Sequence, residues 1–278
     1  MSLKLRFGLW NALKARFVQR PVPLYNIFKD MPIKKIIAFD FDDTLAQTVS
    51  TIGVRRLLTD GKPDETFEDF LLDNNIQYVR TEHGFWWLDS ANFALFEELP
   101  TPDGSEDEID YSGTASIDME LSKGINSMLA KLAEAQADPE ALALVVTARA
   151  GKKEMYSPAQ GANITPQNRQ QIIEFLNDNG IGISESQLHT VGDMDGESPA
   201  GKAAVLAGYL DQHKPEELIF YDDSERNVRA VAQLCKQYSP NVKISAYRVV
   251  NGSTSSPETC DESIKDRLRK ILMSVLRR

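Results

Sequence analysis

The segment that most constrains the fold is an apolar run that leads directly into acids, IIAFDFDDTL at residues 36–45. A nearly continuous apolar run of this kind is typical of a strand that is covered on both faces, as in parallel sheets. In open α/β sheets ligands bind at the carboxyl ends of the strands, where these acids fall. Asp40 and Asp42 are two residues apart, so an extended chain points both side chains the same way. Because like charges repel, the pair indicates a site for a cation or a shared proton.

Strand and helix patterns alternate along the rest of the chain. We expect further strands at about 141–147, 188–192, 217–222 and 242–250, and helices at about 117–136, from Thr165 onward, and at about 200–212 and 225–238. Strands that alternate with helices of this length predict an α/β fold built on a doubly wound parallel sheet.

Three further segments, taken with residues 40–45, resemble the four motifs of the haloacid dehalogenase (HAD) superfamily. DFDDTL at 40–45 is similar to the nucleophile motif, and LALVVTAR at 142–149 is similar to the second motif, a strand that ends in Ser or Thr. Lys202 can serve as the third motif, and LIFYDDS at 218–224 resembles the fourth, a strand that ends in paired acids. The matches occur in the family's order and span about residues 33–250.

The resemblance implies a Rossmann-like HAD core in which the first strand lies between the second and the fourth. It also implies roles for four residues in phosphoryl transfer. Asp40 would attack phosphorus, and Asp42 would act as acid toward the leaving oxygen and then as base toward water. Thr147 would hydrogen-bond the phosphoryl group, and Lys202 would neutralise Asp40 and the transferring phosphate.

The resemblance further implies a Mg²⁺ site. Its ligands would be the carboxylates of Asp40, Asp222 and Asp223 and the backbone carbonyl of Asp42. Oxygen-only ligands of this kind suit Mg²⁺. Asn227 would either support this site or lie on a helix surface.

The resemblance also implies a cap. The HAD core would comprise residues 31–45 and 119–260, and a compact or irregular cap would be inserted after the first strand at 46–118. Within that insertion we expect an exposed loop at the acidic run 105–110.

A basic amphipathic helix is expected in the N-terminal extension, 1–30, and another at 261–278.

Several residues have two interpretations. Arg149 could contact a substrate phosphate or pair with an acid of the core. GESPAGKA at 196–203 nearly matches a phosphate-binding loop, but Ala203 replaces the hydroxyl that binds Mg²⁺. Asp193 either forms a turn or contacts substrate or metal at the rim. The aromatic run 85–87 either fills the core of the cap or stacks on a base.

Composition narrows the class of protein. The chain of 278 residues has a net charge of −10, which gives it no general attraction to nucleic acid. Residues 1–35 nevertheless carry eight Lys or Arg against one acid, and residues 261–278 carry six against three. The charged N-terminus does not resemble a secretory signal. Because Cys235 and Cys260 form no disulfide framework, we expect a cytoplasmic location.

The sequence therefore predicts a Mg²⁺-dependent phosphomonoester hydrolase that works through an aspartyl phosphate. A phosphorylated small molecule is the expected substrate. A phosphatase acting on a nucleic-acid end and a non-catalytic binding protein on a HAD core are the alternatives. The sequence indicates neither the particular substrate nor the oligomeric state.

Overall fold

The computed structural model describes residues 32–194 and 198–258. All of them except Pro32 belong to one compact unit. The chain is a mixed α/β protein with a mostly parallel central sheet. The helices predicted at the two ends of the chain lie outside the described residues. Within the described part, no helix combines the length and apolar character that crossing a membrane requires.

Fourteen strands are defined in the described residues. They are β1 (Lys35–Phe39), β2 (Ala46–Gln47), β3 (Thr51–Leu58), β4 (Arg80–Glu82), β5 (Phe85–Asp89), β6 (Ser105–Asp110), β7 (Lys123–Gly124), β8 (Ala141–Thr147), β9 (Met155–Ser157), β10 (Ala162–Ile164), β11 (Leu188–Thr190), β12 (Glu217–Asp222), β13 (Lys243–Val250) and β14 (Ser253–Thr254). The α-helices of this part are α1 (Phe67–Asp73), α2 (Ser90–Glu97), α3 (Asn126–Ala137), α4 (Asn168–Asp178), α5 (Ser198–His213), α6 (Glu225–Ala232) and α7 (Cys235–Tyr238).

The central sheet has the strand order β11-β8-β1-β12-β13-β14. β1 pairs in parallel with β8 on one side and with β12 on the other. These are the two neighbours that the resemblance implied for the first strand. β11 and β13 extend the parallel part, and β14 adds a short antiparallel edge.

Both faces of the sheet are covered, which explains why β1 is apolar after its first residue, Lys35. On one face, Phe39 belongs to a core that includes apolar residues of α3 and α4. On the other face, Ile36 and Ala38 belong to a core that includes apolar residues of α5 and α6. Because successive strand residues point to opposite faces, a doubly covered strand has no place for a polar residue until it ends.

Residues 51–110 form a second sheet that is antiparallel, with the order β4-β5-β3-β6. Helices α1 and α2 pack on it around a core that includes Val54, Phe67, Leu88 and Phe96. The predicted exposed loop at 105–110 is wrong, because these residues form β6 and pair with β3. The boundaries that we predicted for a cap, 46–118, stay a prediction.

Among the predicted elements, one strand and three helices have clearly different bounds in the structure. The strand predicted at 188–192 ends at Thr190. The helix predicted at 117–136 begins only at Asn126, because β7 precedes it. The helix predicted to start at Thr165 begins at Asn168, and the backbone N–H of Gln167 donates to the carbonyl of Ala115 at 2.9 Å. The single helix predicted at 225–238 is divided into α6 and α7.

Cys235, the first residue of α7, is disulfide-bonded. The cysteine count alone had suggested no disulfide framework. A disulfide does not favour a reducing compartment, so the cytoplasmic location loses this support and stays a prediction.

Candidate functional site

The candidate site lies at the carboxyl ends of β1, β8 and β12, which are neighbours in the sheet. Asp40 follows the last residue of β1, whereas Thr147 and Asp222 are the last residues of β8 and β12. The register pairs Phe39 with Tyr221, which brings Asp40 level with Asp222. Both side chains are almost fully buried. Parallel pairing therefore brings together acids that are 182 positions apart in sequence, by subtraction of their residue numbers.

Lys202 joins these two acids. Its ammonium donates to Asp40 Oδ1 at 2.6 Å and to Asp222 Oδ2 at 2.7 Å. The side chain comes from the second turn of α5 and is only 1% exposed. Burial lowers the pKa of the Lys202 ammonium, but the charges of Asp222 and Asp40 outweigh burial, so that the pKa is raised. Lys202 therefore stays a cation between two carboxylates.

Asp222 is held by donors on both of its oxygens. Its Oδ1 accepts from the backbone N–H of Ser224 at 2.9 Å and from Asn227 Nδ2 at 3.0 Å. Its Oδ2 accepts from Lys202. Asn227 is buried and faces the site, so of its two interpretations the structure favours support of the acids over a place on the helix surface.

Asp40, Asp222 and Asp223 together have the geometry of a cation site. One carboxylate oxygen of each lies within 4.8 Å of the others. Three carboxylates against the single ammonium of Lys202 leave an excess of negative charge in a buried place. Such an excess is costly unless a cation or protons offset it. Hard oxygen donors in this number fit Mg²⁺ with water completing its coordination.

The pKa values of the acids reflect this crowding. Burial raises the pKa of Asp40 well above its ordinary value, against the opposing charge of Lys202, and Asp222 and Asp223 raise it further. Burial, together with the charge of Asp222, raises the pKa of Asp223 to about 7. Both shifts arise because burial and like charges disfavour the ionised form.

Asp42 is paired with Arg149. The Arg149 Nη2 donates to Asp42 Oδ1 at 2.7 Å, and its Nε donates to Oδ2 at 2.9 Å. The hydroxyl of Thr48 also donates to Oδ1, at 2.6 Å. Burial opposes ionisation of Asp42, but Arg149 and Thr48 outweigh it and lower the pKa of this carboxyl. Of the two predicted roles of Arg149, the structure shows the pairing with an acid.

Thr147 lies at the end of β8 and is completely buried. Its Oγ1 accepts the backbone N–H of Arg149 at 3.2 Å. The hydroxyl of Thr44, in the 40–45 segment, is also buried and has no hydrogen-bond partner among the described residues. No contact in the described residues tests a hydrogen bond from Thr147 to a phosphoryl group.

The alternative motifs have structural roles. Residues 198–201 are already helical, so Gly201 and Lys202 belong to a helix interior and not to a phosphate-binding loop. The Asp193 carboxylate accepts backbone N–H groups of Gly151, Lys152 and Lys153 at 2.9–3.1 Å. Asp193 thus organises the loop after β8. The remaining residues of these two motifs, 195–197, lie outside the described part.

The aromatic run 85–87 belongs to β5. Phe85 and Trp87 are buried, and the Trp86 ring packs edge-on against Phe67 in the core of the antiparallel sheet. This packing matches the interpretation of the run as core and leaves no exposed platform for a base.

Four residues of the site escaped the sequence analysis. Asp43 has a left-handed backbone (φ 51°), and burial, then Asp42 and Asp89, raises its pKa to about 6. Thr48, Ser50 and Asn168 contact Asp42 or Arg149. Asp43, the third acid within residues 40–43, was a visible signal, but the other three are ordinary polar residues.

No protein-family model, no curated protein and no solved structure matches this chain. The fold and the site therefore define only a class, namely an α/β protein with a cluster of acids at the carboxyl edge of its parallel sheet.

Proposed function

We propose that this chain is a Mg²⁺-dependent phosphomonoester hydrolase of the HAD superfamily, with Asp40 as nucleophile. The observation that carries the proposal is the contact of Lys202 with both Asp40 and Asp222, with Asp223 beside them. The strand order around β1 and the order of the four motifs support it as well. We expect a cytoplasmic protein that acts on a phosphorylated small molecule.

The first half of the reaction follows from the contacts of Asp40. Its Oδ1 accepts from Lys202, and no hydrogen bond within the described residues reaches Oδ2. Oδ2 is therefore the oxygen available to attack phosphorus, which forms an aspartyl phosphate and breaks the bond to the leaving oxygen. Lys202 favours the ionised form of Asp40, against burial and the neighbouring acids that raise its pKa, and offsets the charge of the transferring group.

Proton transfer falls to Asp42. It would have to carry a proton when substrate binds, against Arg149 and Thr48, which lower its pKa. It would give this proton to the leaving oxygen and then take one from the water that attacks the aspartyl phosphate. This water releases inorganic phosphate and regenerates Asp40. Oδ1 of Asp42 accepts three hydrogen bonds, whereas Oδ2 accepts one, so Oδ2 is the oxygen with more room to exchange protons.

Asp40, Asp222 and Asp223, with the backbone carbonyl of Asp42, would hold the metal ion. Mg²⁺, when bound, supplies positive charge against the phosphoryl oxygens. The carbonyl contact and the identity of the ion stay predictions.

Metal binding can be tested without any substrate. We expect Mg²⁺ to raise the melting temperature, because it offsets the repulsion among three neighbouring acids, two of them buried. At about 100 times the dissociation constant, the gain is about 2.7 kcal/mol, or about 5–10 °C for a chain of this size. Calorimetry with and without Mg²⁺ at equal ionic strength measures the shift.

Asp223→Asn should lose most of this shift, whereas the exposed Asp73→Asn should keep it. An equal shift in Asp223→Asn and in the unmodified chain would contradict the assigned ligand set.

Substrate choice separates the alternatives. We expect Mg²⁺-dependent phosphate release from an aryl phosphate and, more efficiently, from some member of a panel of small phosphomonoesters. Turnover of 3′- or 5′-phosphorylated oligonucleotides far above that of sugar phosphates would instead indicate a nucleic-acid end phosphatase. If no substrate is turned over with metal present, the binding-protein alternative is favoured.

A further inference from the structure

Arg149 makes so many hydrogen bonds to other residues that it has no donor left for a substrate. The side chain is 3% exposed. Its Nη1 donates to the carbonyls of Thr114 and Ser116 at 2.9 and 3.1 Å, and to Asn168 Oδ1 at 3.1 Å. Nη2 donates to Asp42 and to the hydroxyl of Ser50, and Nε donates to Asp42.

A guanidinium has five N–H donors. Nη1 has three acceptors for two N–H groups, Nη2 has two acceptors for two, and Nε is shared between the oxygens of Asp42. No donor of Arg149 is left for a phosphate unless an existing contact breaks. The interpretation of Arg149 as a substrate ligand therefore does not agree with this geometry.

Three of the residues that Arg149 contacts lie at the two connections of the antiparallel sheet. Ser50 directly precedes β3, where the chain enters that sheet, and Thr114 and Ser116 follow β6, where the chain leaves it. Two further contacts join the segments on either side of the antiparallel sheet. They are the short β2–β7 pair and a hydrogen bond of 2.9 Å from the N–H of Ile125 to the carbonyl of Leu45. Arg149 is thus one cation bonded to both connections and to Asp42.

Asn168 completes the arrangement. Its Nδ2 donates to the carbonyls of Thr114 and Ala150, both at 2.8 Å, while its Oδ1 accepts from Arg149. It is fully buried at the start of α4. The incoming connection, the outgoing connection and the loop after β8 therefore share one hydrogen-bond network.

We propose that Arg149 is a positioning residue, which fixes the acid–base carboxylate Asp42 and both connections of the inserted sheet in one network. The role of Arg149 in orienting Asp42 for catalysis rests on the proposed function, which takes Asp42 as the acid and base. Its role in holding the two connections does not rest on that function. The bidentate contact orients Asp42 so that Oδ2, which accepts from Nε alone, can still take up a proton, and the remaining donors hold residues 50 and 114–116 in place.

The test compares Arg149→Lys with Arg169→Lys. A lysine keeps the charge but cannot reproduce the fork that reaches Asp42 and both connections at once. Arg169 lies next to Asn168 and donates to the carbonyls of Leu188 and Glu185, which are not in the inserted sheet, so it is a matched control. Amide hydrogen exchange and steady-state kinetics on an aryl phosphate are measured for both variants.

For Arg149→Lys we expect exchange at 46–50 and at 112–118 to rise about tenfold, with kcat falling about tenfold or more and KM changing little. Arg169→Lys should leave exchange at both connections unchanged. A rise in KM at constant kcat would instead identify a substrate ligand and overturn the proposal, as would unchanged exchange at both connections.

Ser50→Ala is a milder variant that keeps Arg149 and its contact with Asp42, and it serves if Arg149→Lys does not fold. We expect exchange at 46–50 to rise severalfold and kcat to fall severalfold. Unchanged exchange and unchanged kcat would overturn the proposal. If the unmodified chain turns over no substrate, the proposed function fails, and the exchange measurements still decide whether Arg149 joins the two connections.

Discussion

Asp40→Asn is expected to abolish phosphate release and to leave less than about 0.1% of the original kcat. Losses of at least this size are typical when an enzyme loses its nucleophile. The amide has nearly the shape of the carboxylate, but its oxygen is not a competent nucleophile toward phosphorus. The ammonium of Lys202 keeps Asp222 as a partner. The fold should therefore persist while the chemistry stops.

The measurement is Mg²⁺-dependent phosphate release from an aryl phosphate, with circular dichroism to establish that the variant is folded. Asp73→Asn, an equivalent change on the exposed surface of α1, should be fully active. Near-normal turnover in Asp40→Asn would contradict the role of Asp40 as nucleophile, whatever the metal dependence.

Lys202→Ala is expected to lower kcat by about three orders of magnitude or more, because a cation beside the nucleophile and the transferring phosphate is lost. It should also destabilise the protein. Removing one partner of a buried ion pair typically costs about 3–5 kcal/mol, since the remaining charges are left buried without compensation. Lys202 pairs with two buried carboxylates, so both of them would lose their ion-pair partner.

Urea unfolding measures the change in stability, and the aryl phosphate assay measures the rate on the folded fraction. Lys243→Ala is the control, because Lys243 pairs with Glu217 at the surface, where ion pairs contribute little. A Lys202→Ala protein with normal stability and normal kcat would show that the ammonium has neither role. Added Mg²⁺ should restore part of the stability, because it supplies positive charge to the same acids.

The central strands were predictable because their signals are local. The predicted strands at 141–147 and 217–222 have the bounds of β8 and β12. Both are apolar over most of their length, because each is covered on two faces. The meeting of Asp40 and Asp222 was also predictable, since parallel neighbours end at one edge of a sheet.

The acidic strand β6 was not predictable from its composition. Five polar or acidic residues in a run of six are typical of an exposed loop. In the structure, β6 lies beside β3, where Arg55 stands opposite Glu108 and Arg56 stands opposite Asp107. Both pairs form ion pairs at 2.7 Å. Cross-strand pairs of opposite charge stabilise a sheet, and a signal of this kind is visible only when both strands are considered together.

The start of α4 shows a similar limit. Thr165 and Pro166 have the types that begin a helix, yet the helix begins at Asn168. The N–H of Gln167 is bonded to Ala115, and the Asn168 side chain is bonded to Arg149 and Thr114. Contacts with a segment about fifty residues earlier thus override the local preference, which amounts to about 1 kcal/mol for a helix cap.

By itself, the amino-acid sequence determined the alternation of strands and helices and the place of the acids at the ends of β1 and β12. Hydrophobic periodicity, and the apolar runs that burial on two faces requires, extend over only a few residues, so they can be recognised in short stretches of the sequence. Only the tertiary structure decided which side chains bond to which. Arg149 could have faced a substrate or an acid, and its pairing with Asp42, 107 positions away, depends on how β1, β8 and the two connections pack together. The direction of a long, flexible side chain is set by the acceptors around it, and those acceptors come from distant parts of the chain.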